Sequence, residues 1–378
     1  AMPGLRAGFR IPWVCRLRRV LRGRWLKLDS MTRALQGLAM LCLLAFAGSA
    51  LAADQCPSLR GRQSDPEVAT RIAAVACDEH MRWRRPFITS EGRLASSIVA
   101  EGEGSGLEGG GAAWRQVAMY WNDAGLLGRS GANGAGDCAY AVGNASYPGL
   151  GCRGFVIDNP WSAAFVSWVM RRAGVPGFIL SGGHFDYVRA ARLDPAGSPY
   201  QFLAPMAAPP AAGDLLCYVR TGRVYGHQGL VRAIDSGATG LAMHCDIVVA
   251  AAADGDAKAY LIGGNVQQAV TMRVLNLNAS GHFWGLQQRS EDGVECSPDT
   301  LSACDFNRQD WAVLLKLKPQ AQLAQLGPVQ PPSYLPVPNA APPRQDCCVN
   351  CVVGSGVPRC PLQGEAKPQP WGLPQDGN

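Results

Sequence analysis

The 378-residue chain is long enough for two average domains, but the first fifty or so residues read as targeting sequence and the last fifty as tail, leaving one domain of about 270 residues. The formal net charge of +6 is a property of the leader: residues 1–52 hold nine of the 35 Lys and Arg but one of the 29 Asp and Glu, so the rest carries about −2. That balance removes the basis for a nucleic-acid-binding reading.

From Met31 a short basic start (Arg33) leads into an apolar run over residues 38–47 and then Ala50-Leu51-Ala52, the build of a cleavable secretory signal ending before Ala53. The segment before Met31 reads as upstream coding. Arg18-Arg19 lies too far from the apolar run for twin-arginine export, and neither Cys42 nor Cys56 follows a lipobox. The expected location is periplasmic or secreted, with no membrane span after cleavage. Of the 14 cysteines, all but Cys15 and Cys42 remain beyond the signal, an even number bound for an oxidising compartment, which favours disulfides over zinc. Sequence does not fix their connectivity; pairing of near neighbours would join Cys56 with Cys77, Cys138 with Cys152 and Cys296 with Cys304. The clump Cys347-Cys348-Val349-Asn350-Cys351 has no His nearby and Pro-rich surroundings, so no metal or cofactor is expected.

Along the mature chain, residues 66–83 predict a helix with Val68, Ile72, Val75 and Ala76 on one face, and residues 91–99 a second. A Gly-rich joint over 101–111 precedes a third helix at 112–127 bearing Trp114, Val117, Tyr120 and Trp121. The Gly/Ala/Asn-rich run over 128–154 has too little apolar content to fold alone, and a Cys138–Cys152 bridge would staple it. In Asp158-Asn159-Pro160-Trp161-Ser162, Asn159 is placed to cap a helix and Pro160 to open it; Trp161, Ala164, Phe165, Trp168 and Val169 then recur at helical spacing until Gly174. Ser181-Gly182-Gly183-His184 introduces a shorter helix ending near Arg192. Strands are expected over 214–219, 244–250, 259–262, 269–277 and 311–318. Helices first and strands later define an α+β domain, residues 53–325, with a mostly antiparallel sheet, followed by a Pro/Cys-rich, extended and mobile tail over 326–378.

Ser162 is the residue with the most chemistry to explain. In a first helical turn it sits among unpaired backbone N–H groups at the positive end of the helix dipole, a setting that favours a nucleophile, although small polar residues are common there for structural reasons. His244 opens a predicted strand and Asp246 shares its face by the period of two, so the pair reads as a base with its partner or as a structural hydrogen bond. His227, in His227-Gln228-Gly229-Leu230-Val231, is a rival. His184, at a helix start, reads as a capping or groove-lining residue, and Gly263-Gly264 as a tight turn.

The order Pro160-Trp161-Ser162-Ala163-Ala164-Phe165-Val166-Ser167-Trp168, Ser181 to Tyr187, Gly213-Asp214-Leu215-Leu216-Cys217, His244-Cys245-Asp246-Ile247-Val248-Val249 and Gly263-Gly264-Asn265-Val266 resembles the bacterial domain-of-unknown-function 2272 family over roughly residues 66–318. More remotely it is similar to NlpC-type and CHAP-type cell-wall peptidases and amidases, which share the order nucleophile helix, Gly-Asp strand, His strand and a strand ending in a polar residue. That resemblance implies a papain-like core in which Ser162 attacks an amide carbonyl, His244 takes its proton and Asn265 orients the imidazole. Those enzymes use cysteine where this chain has Ser162, and serine demands a better placed base. The expected function is an exported cell-envelope hydrolase acting on amide bonds of peptidoglycan. The alternative is an inactive module of the same fold that binds a wall peptide or a protein; a third reading is a structural envelope protein.

Overall fold

A computed structural model describes residues 56–328 except 97, 291 and 292, together with the backbone of two short paired segments, Asn350–Cys351 and Pro358–Arg359. The signal segment, the expected start at Ala53 and nearly all of the tail, including Cys347, Cys348 and Cys360, lie outside the described residues.

Short helix α1 (Cys56–Leu59) is tied by the Cys56–Cys77 disulfide to α2 (Val68–Arg82), whose Val68, Ile72, Val75 and Ala76 are buried as the helical spacing requires. The chain then forms β1 (Phe87–Ile88). Residues 91–99 do not make the expected helix. Gly92 N–H donates to Thr89 O, Thr89 N–H to Arg93 O, and Ile88 bridges Leu94, so the segment turns back on β1 instead. Gly92, at φ 73°, fits that turn, and a Cβ there would meet the Asp305 carboxylate at 1.7 Å.

Five helices follow: α3 (Ala113–Asp123), α4 (Leu127–Ser130), α5 (Ala135–Gly143), α6 (Leu150–Asp158) and α7 (Ser162–Arg172). The Cys138–Cys152 bridge joins α5 to α6, and Asp137 accepts the Cys152 N–H and the Tyr147 hydroxyl, so this glycine-rich region is held by covalent and polar links more than by apolar burial. Helix α7 is the centre of the molecule. Trp161, Ala164, Phe165, Trp168 and Val169 are all buried, against Trp83 (5.6 Å between the Trp83 and Trp161 ring centres) and Tyr120.

Beyond α8 (His184–Leu193) come β2 (Tyr200–Leu203), β3 (Leu215–Val219), α9 (Gly226–Asp235), β4 (Met243–Ala251), β5 (Lys258–Val266), β6 (Ala269–Asn276), β7 (Asp310–Leu317) and the short α10 (Gln320–Leu323). The strands form one sheet in the order β1-β6-β5-β4-β3-β7-β2, antiparallel except for the β1–β6 pair. The domain is therefore α+β with a mixed, mostly antiparallel sheet. Alternation along the strands divides the core. Leu215, Cys217, Cys245, Ile247 and Ile262 face the helical layer. Leu216, Tyr218, Val248, Leu261 and Trp311 form a second cluster on the opposite face with Phe283. Cys217 and Cys245, direct partners across β3 and β4, form a disulfide, and Cys296 bonds Cys304. The three near-neighbour pairings expected from sequence are all present.

Candidate active site

Helix α7 begins at Ser162, two residues later than the Asn-Pro signal suggests. Asn159 serves the preceding helix: its Nδ2 donates to Phe155 O at 2.8 Å and closes the end of α6. Trp161 is the flanking residue, so Ser162 is the first helical residue. Its own N–H and those of Ala163 and Ala164 have no acceptor within the helix.

The Ser162 hydroxyl pairs with His184, not with His244. His184 Nε2 lies 2.7 Å from Ser162 Oγ, and its Nδ1 is hydrogen-bonded to the Tyr187 hydroxyl. With Nδ1–H donating to Tyr187, Nε2 carries the lone pair that accepts the Ser162 O–H. Two features place the histidine. Ser167, one turn into α7, donates from Oγ to Ser181 O at 2.8 Å and accepts the Ser181 N–H at 2.9 Å. Ser181 Oγ in turn accepts the Gly183 N–H at 3.0 Å and donates to Asp186, which fixes the start of α8. Burial pushes His184 well below the ordinary imidazole range, and the neighbouring His244 adds to this. His184 is thus neutral at pH 7, the form that accepts a proton.

His244 stands beside this pair, its ring centre 5.2 Å from that of His184. Its Nε2 is 2.8 Å from Asp246 Oδ1, and Asp246 Oδ2 accepts from Arg273 Nε at 2.9 Å; Arg273 also holds the Asn307 side chain at 2.9 Å. Burial opposes the Asp246 charge, but His244 and Arg273 outweigh it and hold the carboxyl below the usual carboxylate range. The anion fixes Nε2–H as the donor and leaves Nδ1 as a buried atom without a partner. Tyr218 covers one side of His244, with 5.1 Å between ring centres. Across the ladder, Gly263 has no side chain to spare: a Cβ there would sit 1.9 Å from Asp246 Oδ1 and 2.9 Å from His244 Nε2. A Cβ on Gly264, on the opposite face, would lie 2.5 Å from Phe165 Cβ of α7. The two glycines are within β5, where they admit the His-Asp pair on one side and the helix on the other, and the expected tight turn is absent.

Asn265, at φ 55° beside the irregularity in β5, does not reach the free His244 nitrogen. With its amide oriented to satisfy both partners, it donates to Glu101 Oε2 at 3.0 Å and accepts the Trp161 N–H at 3.2 Å. Glu101 Oε2 also accepts Trp161 Nε1–H at 2.8 Å. This carboxyl is pushed up to about 7, because burial outweighs the Trp161 hydrogen bond. The rival His227 lies on α9; its Nδ1 bonds Ala312 O at 2.8 Å and its ring is tilted against Phe202, apart from the Ser162 cluster.

Ser162, His184, His244 and Asp246 therefore form one buried group, with Asn265 supporting the entry to α7. Sequence reasoning missed Tyr187, Arg273 and Glu101. Tyr187 had a local signal, since it follows His184 by three residues on a helix and so shares its face. Arg273 and Glu101 had none, because strand pairing and loop packing bring them in.

The chain belongs to the DUF2272 family, described as an uncharacterized protein conserved in bacteria, whose profile matches residues 108–317. The match starts later than the resemblance read from the motifs; it contains Ser162, His184, His244, Asp246 and Asn265 and excludes Glu101. No curated protein and no solved structure matches the chain.

Proposed function

We propose that the chain is an exported hydrolase of papain-like type that cleaves an amide bond in peptidoglycan or a related wall peptide. The observation that carries this reading is the 2.7 Å contact between Ser162 Oγ, at the start of α7, and His184 Nε2. In the proposed reaction the Ser162 oxygen attacks the amide carbonyl while its proton passes to His184 Nε2. The first-turn N–H groups of α7 face the developing oxyanion, and His184 returns the proton to the leaving amine. Water then releases the acyl group. Tyr187 holds the His184 tautomer in the role that a carboxylate or amide plays elsewhere. His244, held by Asp246, packs beside the His184 ring at the same site. The four disulfides among the described residues accord with export to an oxidising compartment.

A second reading, a protein of the same fold without catalytic activity, is favoured by one specific observation: Ser162 and His184 are each 4% exposed and His244 1%, so the group is closed to a bulky substrate. Zymography on purified cell wall separates the two. The hydrolase reading expects clearing by wild type and none by Ser162→Ala. No clearing by either protein would support the inactive protein instead.

A further inference from the structure

On the sheet face that carries His244, the register of β3 and β4 sets Tyr218 directly opposite His244, and the Arg220 N–H continues the ladder by donating to Ala242 O at 2.8 Å. Side chains alternate along a strand, so Arg220 shares the face of Tyr218 and is the diagonal neighbour of His244, about 7–8 Å away. That end of the face opens to solvent: Arg220 and Ala242 are both exposed, whereas Tyr218 and His244 are buried. The Arg220 side chain has no hydrogen bond and no ion pair among the described residues. Its charge nevertheless reaches the site. Burial and then His244 lower the His184 imidazole, Asp246 opposes them, and Arg220 lowers it further. Burial likewise raises the Tyr218 phenol, and Arg273 and Arg220 draw it back against Asp246.

The loop after β3 adds to this charge. Arg289 donates to Thr221 O and, at 3.2 Å, to Arg223 O, and Arg223 is exposed. Among the described residues no acidic side chain is bonded to Arg220, Arg223 or Arg289. The acids close by are already occupied: Asp310 accepts the Tyr225 and Gly226 N–H groups, and Asp246 is held by His244 and Arg273. The charge left unpaired beside the histidines is therefore positive, and an exposed guanidinium there offers a fork to the two oxygens of a carboxylate.

We propose that Arg220 determines the specificity of the Ser162 site by taking a carboxylate of the peptide substrate. This rests on the hydrolase reading for the site and names its substrate class. An extended peptide advances about 3.3–3.6 Å per residue, so a carboxylate held by Arg220 lies within about three residues of the amide at Ser162. The preferred substrate is a short peptide with a free carboxylate that close to the cut, from its C-terminus or from an acidic residue in the chain, and an amidated peptide is a poor one. Arg220 touches no reacting atom; it orients the peptide so that the amide carbonyl meets Ser162 Oγ.

The test uses peptides released from purified cell wall, in their native acid form and after conversion of their carboxyl groups to amides. Calorimetric titration of the full chain carrying Ser162→Ala separates recognition from turnover. The acid form is expected to bind saturably, and the amidated form roughly tenfold or more weakly, the size of a lost charge-assisted hydrogen bond. Adding Arg220→Gln should remove that difference and leave the affinity for the amidated form unchanged. Arg220→Lys should restore part of it, since lysine keeps the charge without the fork. Peptides amidated only at the C-terminus, or only at internal carboxyls, identify which carboxylate is taken. With Ser162 intact, Arg220→Gln should raise KM for the acid form roughly tenfold with little change in kcat. No binding of the acid form, equal binding of acid and amide, or an unchanged preference in Arg220→Gln, each with thermal melts showing a folded protein, would overturn the proposal. Preferential binding of the acid form with no turnover by wild type would instead overturn the hydrolase reading alone.

Discussion

At the scale of single residues, the Ser162–His184 contact rests on how the start of α8 is held against α7. Helical spacing places a hydroxyl at the mouth of α7, and strand alternation puts His244 and Asp246 on one face. Which histidine reaches the hydroxyl depends on the Ser167–Ser181 hydrogen bonds that dock the start of α8, a contact between segments with no local signature. Two predictions belong here. Ser162→Ala and His184→Gln should each lower wall-amide hydrolysis on the order of 10⁴-fold or more, whereas His244→Gln, one step removed from the hydroxyl, should cost less. Steady-state release of new amino groups measures this, and a larger loss in His244→Gln would exchange the roles of the histidines. Because His184 titrates below 6.5, the acid limb of kcat/KM should have its midpoint below that pH. The second prediction concerns Glu101. Its folded pKa, about 7, is raised above the ordinary 4.5, so the folded state binds the proton more tightly. This contribution is fully present below pH 4.5, declines as pH rises and is lost above about 7. Glu101→Gln keeps an acceptor for Trp161 without the charge. Relative to this variant, wild type should lose Tm between pH 5 and pH 8; a constant difference would show that Glu101 is already ionised at the lower pH.

At the scale of elements, the long amphipathic pieces were legible and the short ones were not. Helices α2, α3 and α7 and strands β3 to β7 carry enough apolar repeats to declare their period. Strand β1 spans two residues and β2 four, too few to show one. Helix α9 buries only Leu230 and Ile234, and Asp310 of β7 holds its start by accepting the Tyr225 and Gly226 N–H groups at 2.7 Å each. That cap lies far away in sequence, so the helix start at Tyr225 and Gly226 has no local signal. Strand β5 is the element on which the site depends most. Gly264→Ala would press a methyl group into Phe165 Cβ and should separate α7 from the sheet, at a cost of about 1–3 kcal/mol or more. Gly263→Ala meets the Asp246 carboxylate instead and should disturb the His244–Asp246 pair. Urea midpoints and activity together distinguish these effects: the first variant should lose mainly stability, the second activity as well. A fully stable Gly264→Ala protein would mean that α7 is not seated as described.

At the scale of the whole molecule, element order and cysteine number point to a stapled α+β domain, and the stapling is most consequential where the apolar core is thinnest. Helices α5 and α6 present only Ala135, Cys138, Ala141, Cys152, Phe155 and Val156 as buried apolar side chains, so their mutual packing offers little to offset the ordering of the loop between them. Arg115 helps by donating to Ala141 O at 2.6 Å and Ala145 O at 2.9 Å, and Trp114 lies so close to Gly149 that a Cβ there would fall 2.5 Å from the ring. The Cys138–Cys152 bridge spans 14 positions and removes loop entropy from the unfolded chain, a contribution of about 3 kcal/mol. Replacing both cysteines with alanine should therefore lower the unfolding free energy by about that amount, with amide exchange rising first in α5 and α6. Helix α7 follows directly on α6, so loosening there should reach Ser162, and activity should fall in step with protection in α6. Unchanged exchange and activity in the double variant would show that Arg115, Trp114 and Asp137 suffice, and that the disulfide does not set the geometry of the site.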